Sequence, residues 1–233
     1  MAKRKKINLR RVPPCPDPAL YVLVTTKEGA FWRRKRGSLK KAEVNHSLRR
    51  NNEAYKIVMP AAARLLRKLE PFTRSLRMGR ITVKMAGRLL KPYKEKESVD
   101  ITVLDGFDLQ PEFPLEGLLL ADYTIEEKGK TITVTIDLDR GRVRPQNKLV
   151  TEYYFELVLL CGDASIEKGL KLHSAESGLY SFLAAQNGIC ELQVAAAPAN
   201  MPWLLLLKVN CLEGREMAMH SKNYGLQVIG AGR

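Results

Sequence analysis

The sequence predicts an α+β protein, mainly β: an antiparallel β-sandwich of about seven strands with a basic helical N-terminal region. Three observations carry this. Ile132, Val134, Ile136 and Leu138 alternate with Thr133, Thr135 and Asp137, the period of a half-buried strand. The apolar runs Tyr153–Cys161 and Met201–Leu207 have the length of buried strands. Charge also divides the chain: residues 1–100 carry 27 Lys+Arg against 8 Asp+Glu, whereas residues 101–233 carry 12 against 17. The change of charge coincides with a change from helical spacing to alternation. We therefore expect a basic region at 1–100 and a sandwich at 101–233.

Residues 1–18 are basic, then proline-rich. Pro13, Pro14, Pro16 and Pro18 exclude regular helix and favour an extended arm. Leu20–Thr26 (LYVLVTT) reads as a short strand that can join the sandwich sheet, and Lys27-Glu28-Gly29 as a turn. Phe31-Trp32-Arg33-Arg34-Lys35-Arg36-Gly37 is the densest basic cluster and directly follows two aromatics. Residues 47–70 read as helix, with Ser47 as cap and Leu48, Tyr55, Met59, Leu66 and Leu69 near one face. Pro60 should kink this helix or start a second one, and Pro71 should end it. A further helix is expected from about Thr73 to Lys91, with Ile81, Met85 and Leu89 four apart; Ile81-Thr82-Val83 also fits a strand. Pro92 should close it, leaving Tyr93–Asp100 as a linker.

In the second part, Leu118–Glu126 pairs with the alternating strand across Glu127-Lys128-Gly129. Further strands are expected at Tyr153–Leu160, Gly169–His173, Ile189–Ala196, Trp203–Leu212 and Glu216–Ile229, the last bent at Asn223. Ser177–Ala185 fits a short helix or another strand.

The chain of 233 residues is 45% apolar, in the range of folded proteins. No stretch approaches the roughly 20 apolar residues of a membrane span. The basic Lys3–Arg11 is followed by prolines and only a short apolar stretch, so no signal peptide is read and a cytoplasmic location is expected. Cys15, Cys161, Cys190 and Cys211 form no C-x-x-C pair; the last three read as buried reduced thiols.

The basic N-terminal third is the one strong functional signal. Lys and Arg neutralise phosphates with release of counterions, and aromatics beside them can stack on exposed bases. The candidate nucleic-acid-binding residues are Lys3, Arg4, Lys5, Lys6, Arg10 and Arg11 in the arm, Trp32, Arg33, Arg34, Lys35, Arg36, Lys40 and Lys41 in the cluster, and Arg49 and Arg50 in the helix. Lys56, Arg64, Arg67 and Lys68 extend that basic helix surface. The expected partner is nucleic acid or another polyanion, and an acidic protein would use the same residues. A solvated charged face explains them without any ligand.

Signals for catalysis are weak. His46, His173 and His220 are far apart in sequence; Cys161 with His173 is the one nameable thiol–imidazole pair. Asp105-Gly106-Phe107-Asp108 lacks the alternating ligands of a calcium loop and reads as a turn. No phosphate loop, dinucleotide fingerprint or zinc motif is present, and no cofactor, metal or catalytic residue is expected. Phe31–Ser38 (FWRRKRGS), Asn51–Leu66 and Gly106–Leu115 (GFDLQPEFPL) resemble segments of uncharacterised bacterial proteins, mainly over residues 30–120. That resemblance implies no activity. The leading expectation is a non-enzymatic binding protein; the alternative is an assembly protein that uses the sandwich for protein–protein contacts, and an enzyme ranks third.

Overall fold

The computed structural model describes residues 12–26, 29–35, 45–138, 142–145, 147–182, 188–214 and 216–233. The chain divides into two compact units, Met1–Arg49 and Arg50–Arg233. In the first, β1 (Tyr21–Thr25) and β2 (Ala30–Arg34) form an antiparallel hairpin with Leu23 opposite Trp32. The Thr26 N–H donates to the Gly29 carbonyl at 2.7 Å and closes it. The Leu20–Thr26 strand thus pairs with its nearest neighbour in sequence, where loop closure costs least. Together the two strands make a two-stranded sheet.

The second unit is α+β, mainly β. Helix α1 (His46–Lys68), in whose first turn the division falls, is followed by α2 (Glu70–Thr73), α3 (Ile81–Lys96), a 3₁₀ turn at Ile101–Leu104 and α4 (Leu115–Leu118). Then come β3 (Tyr123–Lys128), β4 (Thr131–Asp137), β5 (Glu152–Gly162), β6 (Leu170–Glu176), β7 (Tyr180–Ser181), β8 (Ile189–Ala195), β9 (Trp203–Glu213), β10 (Glu216–Met217) and β11 (Tyr224–Gly232). Every pairing is antiparallel. β9 is flanked by β5 and β11, and β6 lies outside β5; the two-residue β7 and β10 pair with β5 and β9. β3, β4 and β8 make a separate sheet.

The central strands of the larger sheet, β5 and β9, are buried on both faces. Phe155, Leu157, Leu159, Leu205, Leu207 and Val209 share a core with Ile132, Val134, Ile136, Leu192 and Val194 of the smaller sheet. On the other face, Val158, Leu160, Leu204, Leu206, Leu226 and Val228 pack with Val58, Leu65, Met85 and Leu89 of the helices. A strand covered on both faces has no polar side to show, which is why β5 and β9 read as unbroken apolar runs while β4 alternates. The architecture is therefore helices, large sheet, small sheet, in three layers rather than two. Strands fall in each expected stretch with two changes: Leu118 ends α4 and β3 begins only at Tyr123, and the stretch Glu216–Ile229 is divided into β10 and β11; β7 lies within Ser177–Ala185. The compact units divide at Arg49–Arg50, and the helices of the second bury their apolar faces on the large sheet.

Other local expectations shift. Asn45, not Ser47, caps α1: its Oδ1 accepts the Leu48 N–H at 2.8 Å. α1 runs through Pro60, which is exposed, and α3 runs through Pro92 into the stretch expected as linker. α3 begins at Ile81, after Gly79 in the left-handed region (φ 55°), and not at Thr73. The β3–β4 turn falls at Gly129-Lys130, and the break at Asn223 is a 3₁₀ turn, Ser221–Asn223, leading into β11. β3 is exposed along its whole length, and Glu126, Glu127 and Lys128 charge that edge, which opposes edge-to-edge pairing.

Buried Asp100 ties the helices to the chain end. Its Oδ1 accepts from the Thr102 N–H (3.1 Å) and hydroxyl (2.7 Å), and Oδ2 lies 2.8 Å from the Arg233 guanidinium. Burial works to raise its pKa, but the Thr102 hydrogen bonds and Arg233 together hold it below the ordinary value of 3.8. A carboxyl lowered in the folded state gives stabilisation that is complete above the unfolded value and disappears as pH falls through the folded one. Asp100→Asn should cost about 1–3 kcal/mol at neutral pH, and the loss should shrink below pH 3.8. Urea unfolding at neutral and acid pH checks this; an equal loss at both excludes the carboxylate's role.

Candidate polyanion-binding surface

The helices place cations by the same periodicity that buries their apolar residues. Ala54, Val58, Ala61, Ala62 and Leu65 of α1 face the sheet. At about 100° per residue, Lys56 and Arg67 point away from that face, while half-buried Arg64 and exposed Lys68 lie along one flank of it. In α3, Ile81, Met85, Ala86 and Leu89 are buried, while Lys84, Arg88 and Lys91, spaced i, i+4, i+7, are exposed.

Residues 50–96 hold 13 Lys+Arg against 3 Asp+Glu, so most of these cations have no acid nearby in sequence to pair with. The ion pairs of this segment are Arg74–Glu70 (3.4 Å), Arg77–Glu112 (3.7 Å) and Lys96–Asp100 (3.7 Å). Among the described residues, Lys56, Arg67, Lys68, Lys84, Arg88 and Lys91 have no acidic partner. The far layer of the unit is less one-sided: the outward side of the small sheet shows Thr131, Thr133 and Thr135 from β4, exposed Glu191 and Gln193 from β8, and the ion pair Glu126–Lys128 (2.6 Å) of β3.

At the end of α1 the surface dips into a cleft of about 230 Å³ lined by Arg64, Arg67, Lys68, Glu167, Lys168 and Leu170. Half-buried Arg64 donates from Nη1 to the carbonyls of Ala164 (3.2 Å) and Ser165 (3.1 Å) in the β5–β6 loop. That loop is held tightly. Asp163 Oδ1 accepts the Ser165 N–H at 2.7 Å. Gly162 sits at φ 120°, and a Cβ there would run into the Gly169 carbonyl.

The candidate residues of the first unit do not form one row. On β2, Trp32 and Arg34 share a face with Leu23 and Tyr21, while Phe31 and Arg33 share the other with Val24 and Val22. Trp32 is half-buried and its indole N–H donates to the Pro13 carbonyl at 2.6 Å; Phe31, 50% exposed, is the free aromatic. The Lys35 ammonium donates to the Pro18 carbonyl at 3.0 Å. Arg49 is exposed in the first turn of α1, and Arg50 donates to the Lys94 carbonyl (3.1 Å) in the last turn of α3. Lys3, Arg4, Lys5, Lys6, Arg10, Arg11, Arg36, Lys40 and Lys41 lie outside the described residues. The α3 cations were missed although their spacing was readable; Lys168 left no signal, because its place depends on loop geometry.

Cys161 and His173 are not hydrogen-bonded. Cys161 stands opposite Lys171 and His173 opposite Leu159. Burial pushes the Cys161 thiol up, the reverse of what a nucleophile needs. Burial also raises Cys190, and Cys211 to about 12. All four cysteines are free, and only Cys15 is part-exposed. In native protein a thiol reagent should therefore label Cys15 quickly and the other three only on unfolding. Fast labelling of Cys161 would contradict its packing. Among the described residues no three His, Cys, Asp or Glu side chains converge to hold a metal, and no helix is long and apolar enough to cross a membrane. No protein-family profile, curated protein or solved structure matches the chain.

Proposed function

We propose that this is a non-enzymatic protein that binds nucleic acid, or a polyanion of similar charge density, through the outer face of α1 and α3. The observation that carries the reading is the group of six exposed cations on one layer without acidic partners among the described residues. Like charges held together repel, and that repulsion is relieved when phosphates displace the counterions around them. Arg33 and Arg34, together with the arm Lys3–Arg11, add charge of the same sign. Lys and Arg on this face would meet phosphates, which carry no sequence information, so binding is expected to be independent of sequence. A cytoplasmic setting fits the free, buried thiols.

Lysine acetylation footprinting tests the assignment of the face. Bound DNA should protect Lys56, Lys84 and Lys91 and leave exposed Lys130, in the β3–β4 turn, reactive. Equal reactivity of all four with and without DNA would overturn it.

A further inference from the structure

We propose that the cleft between the end of α1 and the β5–β6 loop is a discrete phosphoryl-binding subsite. The inference rests on the polyanion reading and narrows it to one place and one chemical group. Four cations, Arg64, Arg67, Lys68 and Lys168, line the cleft against a single carboxylate, Glu167. None of the four has an acidic partner among the described residues. Arg64 is fixed through Nη1 by the Ala164 and Ser165 carbonyls, and its Nε and Nη2 remain to donate. A planar guanidinium offers paired N–H groups that match two phosphate oxygens.

The opposite wall is preorganised. The Gly162–Gly169 approach leaves no room for other residues, and the Asp163–Ser165 turn fixes the loop that carries Lys168. Little ordering therefore remains to be done on binding. The volume of about 230 Å³ lies below the roughly 300–1,000 Å³ of pockets that enclose drug-sized molecules, so a phosphoryl group with part of a sugar fits better than a whole nucleotide. Arg67 and Lys68 also offset the negative end of the α1 dipole. That role does not require Lys168 on the facing loop.

Thermal unfolding of the full chain with inorganic pyrophosphate tests the site. Two variants of equal charge change are compared: Arg67→Gln/Lys68→Gln/Lys168→Gln in the cleft and Lys84→Gln/Arg88→Gln/Lys91→Gln on α3. All six side chains are exposed, so both variants should fold. At roughly ten times the dissociation constant, pyrophosphate should raise the wild-type Tm by about 4 °C. The α3 variant should keep this rise and the cleft variant should lose it. No rise in wild type, or equal rises in both variants, overturns the subsite. A dithymidine phosphodiester that reproduces the rise assigns the cleft to a nucleic-acid backbone; a rise with pyrophosphate alone assigns it to a terminal or free phosphate. Loss of DNA binding by the α3 variant with the pyrophosphate response intact separates the two readings. A wild type that responds to pyrophosphate but binds no DNA sinks the broader reading and leaves the cleft standing.

Discussion

Lys208→Met should destabilise the protein by about 3–5 kcal/mol, the largest effect expected of a single substitution. Lys208 on β9 stands directly opposite Glu156 on β5, with Nζ 2.8 Å from Oε2. The two side chains are 5% and 10% exposed. Asn210, fully buried, donates to the same Oε2 at 2.6 Å. Removing the lysine leaves a nine-tenths buried carboxylate in the sheet with the Asn210 amide beside it and little water to compensate. The pair itself is a poor source of net stability, because both ions lost their hydration on burial. Glu156→Leu/Lys208→Met should therefore recover about half of the loss. The remainder, about 1–3 kcal/mol, reflects the Asn210 N–H left without its acceptor. Urea midpoints of the two variants settle the point. A double variant no better than the single would mean that the pair stabilises the fold outright.

Neutralising the helical face should abolish binding without unfolding the chain. Changing Lys56, Arg67, Lys68, Lys84, Arg88 and Lys91 to Gln removes six positive charges from exposed positions. Each such change should alter stability by less than about 0.5 kcal/mol. Affinity for duplex DNA at about 0.1 M salt should fall by at least 100-fold, because every phosphate deprived of its cation retains roughly one counterion that binding would otherwise release. The salt slope should flatten by about one for every cation that touches a phosphate. Changing Lys128, Lys130 and Lys148 instead should cost much less, since they belong to β3, its turn and the segment before β5 rather than to the helices. The same loss per charge removed in both sets, about half the logarithmic loss for three charges as for six, would mean that net charge, not its placement, governs binding.

How much of this was legible in the sequence depended on how many faces of an element are buried. β4 has one buried face, so Ile132, Val134 and Ile136 announced it by alternation. β5 and β9 have two, and their apolar runs revealed strands but not what covers them. Pro60 and Pro92 suggested helix ends, yet the apolar stripes continue past both, and packing on the sheet holds the helices together there. The boundary near residue 100 was a true change of charge and period. It is not a change of core, since Val58, Leu65 and Leu89 pack with Leu160 and Leu206. For the candidate surface, the excess of charge was plain from composition. Its best-defined part was not: the densest run of charge lies at Trp32 and the arginines after it, whereas the strand period sends Arg33 and Arg34 to opposite faces. The cleft was hidden because it joins Arg64 to carbonyls about a hundred residues away.

The most direct test of the central claim is the salt dependence of DNA affinity for the unaltered chain. If about six phosphates are neutralised, log affinity for a random-sequence duplex should fall against log salt with a slope of about −5 between roughly 50 and 200 mM. Absence of binding at about 50 mM, or a slope near zero, would contradict the assignment of the basic helical layer to a polyanion.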